Sequence, residues 1–118
     1  MKKLIASFQH ALHGISNGFS NEMNCRIHGL ITILVITAGW YFDISKAEWM
    51  VIFLCIGLVM AMELMNTAIE NLSDTLHPEK SEGIRIVKDS AAGAVLVAAG
   101  IAAICGLIIF VPKIIQSL

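Results

Sequence analysis

Residues 49–74 read WMVIFLCIGLVMAMELMNTAIENLSD, and this stretch decides the architecture. From Trp49 to Met62 it carries no charge, and a helical pattern then continues through Glu63 to about Leu72. Crossing a bilayer takes about 20 predominantly apolar residues, so 49–72 reads as a transmembrane helix. Its second half then breaks the rule that such a helix avoids charge. An acidic residue at the bilayer centre costs roughly 2.5–3.5 kcal/mol on insertion scales, so Glu63 requires a reason.

The spacing supplies one. At about 100° per residue, Glu70 and Asp74 return to within about 20° of Glu63, and Asn66 and Thr67 fall on either side. Five polar groups therefore share one helix face, about 16 Å long, from inside the bilayer to its surface. Like charges on one stripe repel, and a bound cation or proton relieves the repulsion. Oxygen donors at this spacing suit a hard divalent ion such as magnesium. A proton or ion path through a transporter, and simple pairing with polar groups of neighbouring helices, are the other readings of the same stripe.

Working outward, Ser90–Pro112 contains no charged residue at all and forms a second span. Its Ala91-Ala92-Gly93-Ala94 start, with Ala98, Gly100 and Ala102, offers the small-residue surface on which membrane helices pack closely. Ile27–Phe42 is a shorter span, with His28 at its start and Trp40-Tyr41 at its exit, where an aromatic pair suits the membrane–water interface. Ahead of it, Leu4, Ile5, Phe8, Leu12, Ile15 and Phe19 recur near helical spacing, so residues 1–24 read as an amphipathic helix lying on the membrane surface. A soluble amphipathic helix has the same pattern but would be out of place beside three spans. His10 and His13 fit this interfacial helix better than a metal site. The Met1-Lys2-Lys3 start resembles a signal peptide, but polar residues break it before an apolar core forms, so the expectation is that it is retained.

Composition agrees with membrane residence: 57% of residues are hydrophobic and 14% charged, against about 25% charged in soluble domains. A net charge of −1 provides no field to recruit nucleic acid. The three dispersed cysteines, Cys25, Cys55 and Cys105, form neither a disulfide framework nor a zinc pattern and read as buried, inert thiols. Lys2, Lys3, Arg26, Lys80, Arg85 and Lys88 fall on one side of the implied membrane, and only Lys46 and Lys113 on the other. The positive-inside rule then makes the N-terminus and the 73–89 loop cytoplasmic. The expectation is one all-α membrane domain over residues 1–118, with a surface helix and spans at 27–42, 49–72 and 90–112.

Beyond the stripe, Lys88-Asp89 with Arg85 one turn earlier places cations where a phosphoryl group could be neutralised. Basic residues at a cytoplasmic boundary also have a plain orienting role. Glu22 sits where the surface helix meets the first span. No GxxxxGK[ST] loop or protein-kinase signature is present, so any nucleotide site must be built from helix faces.

The series Glu63-Leu-Met-Asn66-Thr-Ala-Ile-Glu70-Asn-Leu-Ser-Asp74, followed by Lys88-Asp89-Ser-Ala-Ala-Gly93, resembles the signature of the bacterial diacylglycerol kinase and undecaprenol kinase family. The segment Asn21-Glu22-Met-Asn24-Cys-Arg26-Ile-His28 is similar to the start of that family's first span. The resemblance implies a homotrimeric helical bundle in the bacterial inner (cytoplasmic) membrane, with active sites composed from neighbouring subunits. It implies transfer of the γ-phosphate of ATP to a lipid hydroxyl, with Mg2+ as metal. By position, Glu63 resembles the general base, Glu22 and Glu70 the magnesium–nucleotide ligands, and Asn66, Asp74, Lys88 and Asp89 the ATP-site residues. His10, Leu12 and Cys25 depart from the usual tyrosine, tryptophan and phenylalanine, which touches the N-terminal contacts to nucleotide or lipid and not the phosphoryl-transfer set. The His77-Pro-Glu-Lys80 loop, Asn24-x-Arg26-Ile-His28 and Ile108-Ile-Phe-Val-Pro-Lys113 look closer to the undecaprenol branch, with diacylglycerol as the alternative acceptor. A proton-coupled transporter subunit and a purely structural subunit compete with the kinase. Both leave Glu22 and Lys88 without a role.

Overall fold

The computed structural model describes residues 1–118 as four helices and short connections: α1 (Lys2–Asn21), α2 (Met23–Tyr41), α3 (Lys46–Leu76) and α4 (Glu82–Ser117). The protein is all-helical, and α2, α3 and α4 are each long and apolar enough to cross a membrane. The hydrogen-bonded ladder runs past the apolar limits read from sequence. α4 starts at Glu82 because the Ser81 hydroxyl accepts the Ile84 amide at 3.2 Å, an N-cap that satisfies one free donor of the first turn. α3 starts with a capping box: Ser45 Oγ accepts from the Glu48 amide at 3.1 Å, and the Ser45 amide donates to Glu48 Oε1 at 2.9 Å. At about 1.5 Å per residue, the 31 residues of α3 and 36 of α4 span about 46 and 54 Å. A hydrocarbon core is about 30 Å thick, so both helices project well beyond it.

α3 and α4 pack along their length as an antiparallel hairpin. α2 lies against α3, and α1 touches both α2 and α3. α2 and α4 do not pack on one another, so a wedge opens between them with α3 as its floor. The end of the bundle holding the α2–α3 turn is closed by Ile44, Ile52 and Ile109 with Phe42, Trp49 and Phe110 around them. Asp43 takes a left-handed conformation there, φ 52°, and the Ile44 amide reaches back to the Gly39 carbonyl at 3.1 Å. Gly39 is required by this turn: a Cβ on it would lie 2.8 Å from the Trp49 ring and 3.1 Å from Ile44. Lys113 Nζ, 3.4 Å from Glu48 Oε1, joins the ends of α4 and α3 at the same pole.

At the opposite pole the chain bends once, at Glu22. Its backbone is extended (φ −114°, ψ 119°) and its amide closes α1 by donating to the Gly18 carbonyl. Gly18 itself is buried against Leu64 and Cys25, which brings the end of α1 onto the same turn of α3 that carries Glu63. Leu4, Ile5, Phe8 and Leu12 of α1 stay exposed, as do most apolar side chains of α2 and α4. In a chain with three spans such a surface is covered by lipid or by other chains.

Candidate active site

The polar face of α3 is graded in depth. Glu63 is 2% exposed, Asn66 and Thr67 are buried, Glu70 is half-buried and Asp74 exposed. Helical spacing alone puts these side chains on one stripe; packing of α1, α2 and α4 turns the stripe into a gradient from dry to wet. Ser73, also buried on α3, was not singled out in the sequence, because a lone serine between polar neighbours gives no signal.

Two groups on this face lack partners. Asn66 donates from Nδ2 to Glu70 Oε1 at 3.3 Å, while its Oδ1 and the Thr67 hydroxyl are buried with no hydrogen bond. An unsatisfied buried polar group costs about 1–3 kcal/mol, so these atoms point to a ligand or to a second chain. Glu63 makes one polar contact, with His28 Nε2 of α2 at 3.6 Å. In the sequence His28 counted only as a boundary residue and part of a motif. The tendency of an ionisable group inside a span to pair with another calls for such a partner without saying which residue it is.

A second cluster lies where the α3–α4 hairpin leaves the bundle. Lys88 Nζ pairs with Asp74 Oδ1 across the two helices. Arg85 pairs with Glu82 and donates to Asp89 Oδ2 at 3.1 Å. Its guanidinium holds the Glu82 carboxyl below the ordinary carboxylate range. These groups, with His77 and Lys80, border an open polar pocket of about 450 Å³. The Asp74–Lys88 pair is solvent-exposed, 62% and 35% by side chain, so it contributes about 0–1 kcal/mol and an incoming phosphate can displace it.

Glu22 is half-buried at the α1–α2 elbow and has no ion-pair partner within the chain. Cys25, fully buried, lies within electrostatic reach of both Glu22 and Glu63. The structure thus links Asn66 to Glu70 on α3 and Asp74 to Lys88 across the hairpin, with Asp89 joined to Arg85, while Glu63 meets only His28 and Glu22 meets none of them. Nowhere do three His, Cys, Asp or Glu side chains converge as a metal cage. Magnesium seldom needs one: it is commonly held by one or two carboxylates together with substrate phosphates and water. Glu70, with the unpartnered Asn66 Oδ1 beside it, fits that requirement.

The wedge between α2 and α4 encloses a cavity of about 240 Å³, lined by Val35, Ile56, Val59, Met60 and Ala103 with His28 among the few polar groups. An apolar space thus adjoins the deep carboxylate, and a polar one lies at the far end of the same helix face. This is the layout for joining an apolar, membrane-bound molecule to a charged, water-soluble one.

Residues 9–110 match the family model described as prokaryotic diacylglycerol kinase. The chain is 40% identical over 114 residues to the undecaprenol kinase of Bacillus subtilis, covering 97% of this chain and 93% of that one. It is 39% identical to a diacylglycerol kinase of Synechocystis, over 96% of this chain and 65% of the other. A diacylglycerol kinase of Haemophilus influenzae is 30% identical across 80% of both chains.

Proposed function

The chain is a membrane lipid kinase belonging to the prokaryotic diacylglycerol kinase family, and on that premise we propose that it transfers the γ-phosphate of ATP to the hydroxyl of a lipid alcohol, undecaprenol in preference to diacylglycerol. The observation that carries this reading is the graded polar face of α3, with Glu63 buried at its deep end and Asp74 paired to Lys88 at its wet end.

The gradient of burial supports a division of roles. Glu63 lies about 16 Å along the helix from Asp74 and about 10 Å from Glu70. Nucleotide held at the Asp74, Lys88 and Asp89 end extends its triphosphate along the stripe, past Glu70 and Asn66, toward the lipid hydroxyl. Lys88 neutralises phosphate charge, and Asp89 keeps Arg85 oriented over the pocket. Glu63 takes the hydroxyl proton as the oxygen attacks phosphorus. Glu70 and Glu22 would hold Mg2+ with the nucleotide, and the bound ion would supply charge neutralisation to the phosphoryl group. The lipid tail lies against the apolar walls of the bundle and its head reaches Glu63.

The unpartnered Asn66 and Thr67 atoms and the wide apolar surface of α2 and α4 support a homotrimer whose sites are completed by neighbouring subunits. Arg26, Lys80, Arg85 and Lys88 near Glu22 and the α3–α4 turn, with Lys2 and Lys3 at the start of α1, support an inner-membrane orientation with that pole and the N-terminus cytoplasmic. Preference for undecaprenol is supported by the Bacillus relative, matched over nearly its whole length; the diacylglycerol kinases among the relatives support the second acceptor. The deciding experiment supplies γ-labelled ATP and Mg2+ to the purified protein with undecaprenol and diacylglycerol in parallel. Label is expected in undecaprenyl phosphate at the higher rate. Label in neither lipid, from protein that remains assembled, overturns the kinase reading, and faster labelling of diacylglycerol reverses the preference.

A further inference from the structure

A base buried as deeply as Glu63 can take a proton but has no water to return it to. One ionisable group of this chain lies close enough to receive it: His28, with Nε2 3.6 Å from Glu63 Oε2. The two side chains differ in exposure, 19% for the imidazole against 2% for the carboxylate, so His28 stands between Glu63 and the cavity it borders. The other surroundings hold no competing cation. α1 meets this turn through Gly18, against Leu64 and Cys25; α2 adds the Cys25 thiol, and the elbow before it Glu22. α4 faces the cavity with Ala99, Ala102, Ala103 and Gly106, and α3 itself adds Asn66, Thr67 and Glu70. No lysine or arginine lies within ion-pair distance of Glu63.

We propose that His28 is a positioning residue for the reaction: its Nε2 holds the Glu63 carboxyl by accepting from it the proton taken from the lipid hydroxyl. The inference rests on the reading of Glu63 as general base. As the hydroxyl oxygen forms its bond to the γ-phosphorus, the bond from phosphorus to the ADP oxygen breaks, and that oxygen keeps the electron pair. The O–H proton moves to Glu63, then to the unprotonated Nε2 of His28, and as product leaves Nε2 gives that same proton to water, which restores His28 as an acceptor. Glu63 is thereby returned to its ionised form for the next turnover. At 3.6 Å the contact is longer than a hydrogen bond, as catalytic contacts often are before substrate draws the groups together.

The test compares parent protein, His28→Gln, His28→Ala and Glu63→Gln, all full-length and in one detergent–lipid mixture. Both His28 variants are expected to lose about 10- to 100-fold in kcat with KM for MgATP unchanged. The limb of the kcat–pH profile due to imidazole is expected to vanish. Free imidazole should restore turnover to His28→Ala, which leaves room beside the cavity, and much less to His28→Gln, which fills it. Parent-like kcat in both variants overturns the proposal, as does a loss that keeps the parent pH profile and resists imidazole. If His28→Ala fails to assemble, the pH profile of His28→Gln decides. Parent-like turnover by Glu63→Gln removes the underlying assignment as well, which separates that failure from a failure of His28 alone.

Discussion

Replacing Glu63 by glutamine keeps the shape of the side chain and removes its charge, so its effects on activity and stability are expected to have opposite signs. General bases contribute about 10²–10⁴-fold to rate, equivalent to roughly 2.7–5.4 kcal/mol of barrier at 1.36 kcal/mol per decade. Turnover is therefore expected to fall by at least two decades. Stability responds to burial instead. Glu63 is 2% exposed, in a helix where an acidic group costs roughly 2.5–3.5 kcal/mol to insert, and the amide lowers that cost. The contact it alters is the 3.6 Å approach to His28, which the amide can keep as a neutral polar contact. Thermal unfolding in detergent should therefore occur at the same temperature or higher. The residues proposed to hold nucleotide lie about 10–16 Å along the helix, so equilibrium ATP binding should persist. Initial rates with labelled ATP, a melting curve and a binding isotherm on one preparation test all three. A variant that melts earlier and no longer binds ATP would show that Glu63 supports the structure instead of the chemistry, and would refute the reasoning.

Lys88→Ala removes the proposed phosphate contact while breaking only an exposed ion pair with Asp74; KM for ATP should rise and kcat drop by about 10²-fold or more, with unfolding free energy changed by less than about 1 kcal/mol. Glu70→Gln should raise the Mg2+ concentration needed for half-maximal turnover, and chelation of Mg2+ should stop the parent enzyme outright; a titration of rate against free Mg2+ reads both. Gly39→Val, whose Cβ would meet the Trp49 ring at 2.8 Å, should cost about 1–3 kcal/mol through overpacking and lower the melting temperature while leaving KM for ATP as it was.

Much of the candidate site was legible from one helix. Glu63, Asn66, Thr67, Glu70 and Asp74 share a face because of helical rotation alone, and the structure adds only their order of burial. The three apolar helices were equally plain, although their ends were not. Hydropathy stops at the first charges, whereas the backbone ladder continues until a cap such as Ser81 or an extended residue such as Glu22 ends it. Contacts between helices were the harder part. His28 and Glu63 meet because α2 and α3 run antiparallel with a particular stagger, set by the turn at Gly39, Asp43 and Ile44, and neither helix records that stagger in its own periodicity. The Asp74–Lys88 pair is hidden for the same reason.

The overhang of α3 and α4 beyond the hydrocarbon core makes the thickness of the bilayer part of the reaction geometry. On the proposed roles, one unbroken helix fixes the distance between the base and the nucleotide pocket, but the height of a lipid hydroxyl is fixed by the membrane. A thinner or thicker bilayer slides that hydroxyl along a ruler whose marks are Glu63, Glu70 and Asp74, unless the helices tilt to follow it. Acyl-chain length of the host lipid thus becomes a control on rate that acts without touching any residue of the protein.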